Sequence, residues 1–345
     1  MKSLIRLGAV LISLLIMTGT AAAQTTVPAA YHLNGVQHIY QDWNNCGPAT
    51  LTMGLTYFGY EADQYPAAQW LKPNPEDKNV SPWQIAEYVN NHLPGTTRAL
   101  VRQGGSLDTL RQLISNDFPV MIEAGYEPPG ENLGWMGHYL LVIGYDDATQ
   151  TITTHDSYEG PNLGYSYDHV NTYWRQFNNL YIVLYDITRE AEVMALLGDD
   201  ADETVNWQNA LNLARAEAIA NDQDPFAWFN MGTSFAGLGM YVEASVAYDQ
   251  ARNVGGGLPW RMNWYQFGML EAYVQTQQYD KVIALAQANL NDGGGQYVEE
   301  TFYYGGLARL GLGETDRAIS NFNGAISFNP NFTPARVALE DLGAS

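Results

Sequence analysis

The first half of the chain contains short apolar runs bounded by turn residues, which is the pattern of buried strands. The four clearest runs are PVMIEAGY, LVIGYD, TITTHDS and NLYIVLYDI. Two helices are predicted before them. Residues 81–93 begin with a capping-box pattern made by Ser81 and Gln84, and residues 106–117 place their apolar positions on one side. Helices followed by strands predict an α+β domain over residues 24–188.

The second half of the chain has the pattern of helices, and strand signals end near residue 189. Two segments repeat one arrangement of small and aromatic residues, namely Gly232, Ala244 and Tyr248 in the first and Gly306, Ala318 and Phe322 in the second. The two alanines lie about two 37-residue periods apart. This arrangement resembles the tetratricopeptide (TPR) repeat, in which small residues let paired helices approach and aromatic residues fill the gaps.

The TPR resemblance covers residues 190–342 and implies an all-α, TPR-type helical solenoid over residues 189–345. Such an array would offer a concave surface to a protein or peptide partner. A plain helical bundle is the alternative interpretation.

Residues 1–23 have the features of a secretory signal peptide. Lys2 and Arg6 precede an apolar run over residues 7–17, and small residues end at Ala23. The run is shorter than the ~20 apolar residues of a membrane span. We therefore expect a secreted or extracytoplasmic protein, cleaved near Ala23, with no membrane segment after cleavage. An uncleaved anchor is the alternative.

The charge of the chain argues against two classes of partner. Its 345 residues include 16 basic and 37 acidic ones, for a formal net charge of −21. Such a surface repels nucleic acid and anionic membranes, so neither is expected as a partner. The sequence has no HExxH or CxxC spacing, and no metal or other cofactor is predicted.

Cys46, in the segment QDWNNCGPAT, is the only cysteine. The chain can therefore form no internal disulfide, which is unusual for an exported protein. A helix is predicted to begin at this point, and the N-terminus of a helix favours the thiolate form of a cysteine. The thiol is either a reactive nucleophile or a small buried hydrophobic residue. An oxidising compartment favours the first interpretation.

A predicted hairpin places a histidine next to a carboxylate. If residues 146–150 form a five-residue loop, Leu140 pairs with Asp156, and His138 and Asp156 share one face of the sheet. His155 then points to the other face, whereas a four-residue loop would exchange the two. We prefer the five-residue loop because a carboxylate orients an imidazole and stabilises its cationic form.

These segments resemble the C39-like branch of the papain-like cysteine peptidases over residues 35–186. The resemblance rests on Gln41, on CGPA from Cys46, on GHY around His138 with the apolar strand and GYDD after it, and on HDS around Asp156. It implies that Cys46 is the nucleophile, His138 the general base, Asp156 the residue that orients it, and Gln41 the oxyanion donor.

The C39-like resemblance implies a cysteine peptidase that hydrolyses peptide bonds in a peptide or protein substrate. The signal peptide adds the expectation that it is exported, and the domain order adds the expectation that the TPR array docks a further protein or peptide. Two alternatives keep the same fold. One is a catalytically silent protein-binding module, and the other is amidase or transglutaminase-like acyl transfer by the same residues. Gln37 is a second candidate for the oxyanion donor. Trp135, just before His138, is expected either to line the cleft or to cover a domain edge.

Overall fold

The computed structural model describes residues 27–128, 130–131 and 133–344. The predicted signal peptide and its cleavage site lie outside this part of the chain. Within it, no helix is both long enough and apolar enough to span a membrane.

An antiparallel sheet organises the first region. Its strands are β1 (Ala30–His32), β2 (Thr97–Arg102), β3 (Val120–Tyr126), β4 (Met136–Asp146), β5 (Thr151–Asp156), β6 (Gly160–Ser166) and β7 (Tyr181–Asp186). Side by side they lie in the order β2-β7-β3-β4-β5-β6, and β1 pairs with one end of β4. The predicted apolar runs become β3, β4, β5 and β7. Strands β1, β2 and β6 are partly exposed and have no continuous apolar run, so the pattern does not reveal them.

The turn between β4 and β5 differs from the prediction. Strand β4 continues through Asp146, so the loop has four residues and the predicted five-residue loop is wrong. A β-bulge between Val142 and Gly144 adds one residue to β4 and shifts the register back. Leu140 therefore pairs with Asp156, which confirms the predicted pairing at the end of the hairpin that carries His138.

The helices of this region are α1 (Cys46–Thr56), α2 (Tyr65–Leu71), α3 (Pro82–Glu87), α4 (Leu107–Ser115) and α5 (Tyr167–Trp174). The predicted capping box of Ser81 and Gln84 forms at α3, and a π-helical segment continues that helix to His92. One hydrophobic core lies between these helices and the sheet, and it includes Leu51 of α1 and Leu141 of β4.

The remaining described chain is helical. Its helices are α6 (Glu190–Leu197), α7 (Glu203–Ala220), α8 (Pro225–Gly237), α9 (Tyr241–Asn253), α10 (Met262–Tyr265), α11 (Gly268–Gln275), α12 (Tyr279–Asn291), α13 (Glu299–Gly311), α14 (Thr315–Phe328) and α15 (Thr333–Asp341). Helix α6 packs into the core of the first region through Val193 and Leu197. The division at residues 188 and 189 stays a prediction.

Neighbouring helices of this second region pack as hairpins, most extensively α8 with α9 and α13 with α14. The predicted small and aromatic positions meet in both hairpins. A Cβ atom at Gly232 would lie 2.7 Å from the ring of Tyr248, and one at Gly306 would lie 2.5 Å from the ring of Phe322. Only glycine allows the helices to come this close.

Candidate active site

Cys46 is the first residue of α1, and Asn45 is the N-cap residue of this helix. Pro48 is the third residue of α1, and its missing N–H is among the four that have no partner inside a helix. Every position from Gly47 to Thr56 is buried, so the helix that carries the thiol is fixed in the core.

Gln64 holds the loop that leads to the thiol. Its side chain is buried, and its Oε1 accepts hydrogen bonds from the Asn45 side chain and from the N–H of Asp42, both at 3.0 Å. Its Nε2 donates to the carbonyl of Tyr40 at 2.9 Å. One amide therefore ties down three positions just before Cys46. Sequence reasoning missed Gln64 because nothing in its local pattern marks it.

His138 and Asp156 lie on the neighbouring strands β4 and β5 and form a hydrogen bond. His138 Nε2 is 2.8 Å from Asp156 Oδ1, and both side chains are buried. The carboxylate also accepts hydrogen bonds from the N–H groups of Tyr158 (2.8 Å) and Glu159 (3.1 Å) and from the hydroxyl of Tyr165 (3.0 Å). Burial alone would raise the pKa of Asp156, but the charge of His138 and these hydrogen bonds lower it to about 2.

The Cys46 thiol lies next to the ring of His138, and both residues line one cleft. Because Nε2 faces Asp156, Nδ1 is the ring nitrogen left for the thiol. Burial opposes ionisation of Cys46, but the hydrogen bond to His138 and the charge of that ring lower the pKa of the thiol. Burial likewise opposes protonation of His138, whereas Asp156 and then Cys46 raise its pKa to about 10. Both shifts favour a thiolate–imidazolium pair.

Gln41 lines the same cleft as Cys46 and His138. Its N–H donates to the carbonyl of Ser157, and its Oε1 accepts a hydrogen bond from the Ser157 hydroxyl, both at 2.8 Å. No acceptor among the described residues binds its Nε2. The amide is thus held by its oxygen and keeps its N–H donors for a ligand in the cleft.

The structure places the other two candidates elsewhere. The N–H of Gln37 donates to Thr56, at the opposite end of α1 from Cys46, so Gln37 lies about 15 Å away from the thiol. His155 points to the other face of the sheet, where its Nδ1 accepts a hydrogen bond from the N–H of Asn162 at 3.2 Å. Burial lowers the pKa of His155.

Both regions of the chain form the walls of the thiol cleft, which has a volume of about 490 Å³. Trp43 and Lys78 come from the first region, and Trp260, Arg261 and Trp264 come from the segment around α10. The side chain of Trp260 is 59% exposed. The sequence does not predict this contribution of the helical region, because it depends on how the two regions pack.

Trp135 covers the boundary between the regions and does not line the cleft. Its ring stacks on Phe177 with 5.8 Å between centroids and lies against Tyr265. Its Nε1 donates to Gln176 at 2.6 Å.

Comparisons with known proteins find similarity between the first region and C39-like peptidases. Residues 30–183 match the model of a family described as "Peptidase_C39 like family". A solved structure described as a "putative C39-like peptidase from Bacillus anthracis" aligns at 18% identity over 46% of this chain and 98% of that chain, with a TM-score of 0.37. A structure described as "MamA RS-1 ArsTM double mutant" aligns at 18% identity over 41% of this chain and 75% of that chain, with a TM-score of 0.32. No curated protein matches the chain.

The two structural alignments are too distant to assign an activity, so the family match carries the comparison. The matched residues include β1, β3, β4 and β5, together with the thiol, imidazole and carboxylate described above. Residues 30–183 are therefore similar to the C39-like peptidase family.

Proposed function

We propose that the protein is an exported cysteine peptidase that hydrolyses peptide bonds with Cys46, His138, Asp156 and Gln41. One observation carries the proposal. The only thiol of the chain shares a cleft with an imidazole that a buried carboxylate holds at 2.8 Å. A cysteine nucleophile needs this arrangement of a base and a group that orients the base.

The proposed reaction is acyl transfer. The Cys46 thiolate attacks the substrate carbonyl, and the Cys46 N–H and Gln41 Nε2 donate hydrogen bonds to the oxyanion. His138, protonated in the resting pair, gives its proton to the leaving amine, so the C–N bond breaks and an acyl-enzyme remains. His138 then takes a proton from water, the hydroxide releases the acid, and the thiolate and the imidazolium are restored. Asp156 holds the ring and its positive charge throughout.

The pH dependence tests the ion pair. Activity should rise with pH as Cys46 ionises, at a pH below the usual thiol range, and should fall as pH rises through about 10, where His138 loses its proton. Iodoacetamide alkylation of the purified protein, followed by mass spectrometry across pH, measures the first limb. A thiol that titrates like free cysteine at about 8.5 would favour a silent binding module.

A peptide library compared with simple amides and amine acceptors tests the reaction. Wild-type cleavage of peptides that is absent in Cys46→Ser supports the peptidase. Turnover of amides alone, or transfer to amines in preference to water, would replace it with amidase or transglutaminase-like chemistry.

We also propose that the helical region is a TPR-type array that docks a protein or peptide. The glycine–aromatic contacts in the two hairpins support this assignment, and the walls that Trp260 and Trp264 add to the cleft support a role in presenting substrate. Crosslinking of a bound peptide to residues of α7–α15, mapped by mass spectrometry, would test it. Export, predicted from residues 1–23, is tested by fractionating cells that express the full chain.

A further inference from the structure

A second cavity, the junction cavity, lies between the first region and the helical region and has a volume of about 480 Å³. Trp83 and Glu123 line it from the first region, and Glu271 and Glu300 line it from α11 and α13. Tyr265 lines both this cavity and the thiol cleft, so the two cavities are neighbours. Its size suits a small organic ligand.

Three carboxyl groups on different elements meet at this cavity. Glu123 lies on β3 and Glu300 on α13, and each is only 2% exposed. Glu271 of α11 is half-buried and accepts a hydrogen bond from the hydroxyl of Tyr241 at 3.0 Å. Buried carboxylates are normally paired with a cation or fully hydrogen-bonded, so this convergence requires an explanation.

One of these groups, Glu300, lacks a partner that such burial requires. Glu300 Oε1 accepts hydrogen bonds from Ser81 (2.7 Å) and Asn79 (3.2 Å), but its buried Oε2 has no partner. Glu123 has the hydroxyl of Tyr139 beside it, and that hydroxyl donates to the carbonyl of Val80 at 2.9 Å. Burial raises the pKa of both carboxyl groups well above the ordinary value, and neighbouring negative charge on Cys46 and Glu299 adds to the effect.

Among the described residues that line the cavity, no cation is free to pair with these groups. Glu203 adds a fourth acidic residue at the wall, and Arg102 is the one basic residue there. Its guanidinium already donates to the backbone carbonyls of Val101 (2.8 Å), Asp200 (2.7 Å) and Ala201 (2.5 Å). The described lining residues therefore give these carboxyl groups no counter-charge, and their raised pKa keeps them protonated until a cation binds beside them.

The other walls are aromatic. Phe267 and Tyr304 stack with 6.3 Å between ring centroids, and Trp207, Tyr303 and Phe332 line the cavity with them. Aromatic faces attract cations as well as apolar groups. In the described residues, no group of three His, Cys, Asp or Glu side chains has the arrangement of a metal site. Carboxyl groups beside aromatic walls suit an organic cation with an apolar body.

We propose that the junction cavity binds an organic cation, a primary ammonium or guanidinium group on an apolar body, with the charge at Glu123 and Glu300 and the body against the aromatic walls. The proposal does not depend on hydrolysis at Cys46.

The competing explanation is that the acids only fasten the two regions together, and Glu299 provides the matched control. Glu299 belongs to the same buried network, where its Oε1 accepts hydrogen bonds from Gln84 (3.0 Å) and Asn329 (2.8 Å), but it does not line the cavity. If the acids only have a structural role, Glu299→Gln and Glu300→Gln should change the affinity for a cation equally. If the cavity binds a cation, only Glu300→Gln should weaken that affinity.

The test uses isothermal titration of the full chain carrying Cys46→Ala, so that no outcome depends on the thiol chemistry. The probes are benzylamine, its neutral analogue benzyl alcohol and its anionic analogue benzoate. We expect 1:1 binding of benzylamine that is at least about tenfold tighter than that of benzyl alcohol, and no binding of benzoate.

We expect Glu300→Gln or Glu123→Gln to weaken the binding of benzylamine about tenfold or more. Glu299→Gln should leave the affinity within about twofold of the original value, and so should Trp260→Ala, which lies in the thiol cleft. The thermal melting temperature verifies that each variant is folded, and if Glu300→Gln does not fold, Glu123→Gln and Glu271→Gln serve instead. Equal binding of benzyl alcohol, an equal loss in Glu299→Gln, or no binding of benzylamine at millimolar concentration would overturn the proposal.

Discussion

At the scale of single residues, the proposed chemistry depends on how Cys46 and His138 share a proton. Asp156 controls this distribution from behind the ring, because its charge raises the pKa of His138 to about 10 and the charged ring in turn lowers the pKa of Cys46. A change at Asp156 should therefore alter the pKa of Cys46 through His138.

Replacing Asp156 by Asn should move the alkylation profile of Cys46 to higher pH. The neutral amide no longer stabilises the imidazolium, so the pKa of His138 falls and that of the thiol rises, and a rise of one pKa unit slows alkylation at pH 7 about tenfold. Iodoacetamide kinetics measure the change. Asp146→Asn, at the other end of the same hairpin, is the control and should keep the wild-type profile. An unchanged profile in Asp156→Asn would contradict the ion pair.

Gln41→Ala should lower peptide turnover about a hundredfold, since loss of an oxyanion donor costs about 3 kcal/mol in the transition state. The melting temperature and the alkylation rate should stay unchanged, because Gln41 bonds to Ser157 and not to the thiol. Gln37→Ala, exposed at the far end of α1, is the matched control and should retain full turnover. Equal activity in both variants would remove Gln41 from the mechanism.

At the scale of secondary-structure elements, the sequence predicted which strand holds the imidazole and which holds the carboxylate, but for a partly wrong reason. The four-residue loop alone would have turned His155 toward His138, and the bulge before Gly144 restores Asp156. Strand β1 packs so closely against β4 at Gly144 that a Cβ atom there would lie 2.8 Å from the Tyr31 carbonyl. The pairing of β1 with β4 therefore requires a glycine at this position. Strand β1 has no apolar run, so the sequence pattern does not predict it. The alternation of side chains along β4 likewise gives no sign of the bulge before Gly144.

The helical region was predicted from residue types alone, because glycine facing an aromatic ring leaves a recurrent spacing in the chain. Contacts between distant residues leave no such trace, and for that reason Gln64 and Glu123 were missed. Gln64 acts on a loop more than twenty residues earlier, and Glu123 interrupts an apolar run without any local sign of a cavity beside it.

Gly232→Ala and Gly306→Ala should each destabilise the protein by about 1–3 kcal/mol, because the added methyl group meets a buried ring in a close-packed hairpin. Thermal or urea unfolding measures the loss. Gly293→Ala is the control, since a Cβ atom there meets nothing within 4 Å. If all three variants unfold alike, the close approach of the helices is not what those glycines provide.

At the scale of the whole molecule, the two regions cannot be treated as an enzyme and a detached docking arm. Residues around α10 form a wall of the thiol cleft, and Glu299 and Glu300 of α13 hydrogen-bond to the segment that begins α3. Any peptide that reaches Cys46 therefore passes side chains of both regions.

Trp260→Ala should raise KM for cleaved peptides about tenfold and leave the iodoacetamide rate unchanged. A large exposed ring at a binding surface contributes more than about 1 kcal/mol to a bulky ligand, whereas a small alkylating agent does not touch it. Steady-state kinetics and alkylation on one protein sample separate the two effects. Trp83→Ala, in the junction cavity and 40% exposed, should leave the KM for peptides unchanged. If both variants raise KM equally, the wall around α10 has no special part in peptide binding.

The solitary thiol also sets how the protein would age in an oxidising environment. A sulfenic acid formed on Cys46 has no second cysteine in the chain with which to form a protective disulfide, so it stays open to further oxidation to the sulfinic acid. Thiols supplied from outside can restore Cys46 only at the sulfenic acid stage, so the ionised sulfur that would make the protein reactive would also limit its working life.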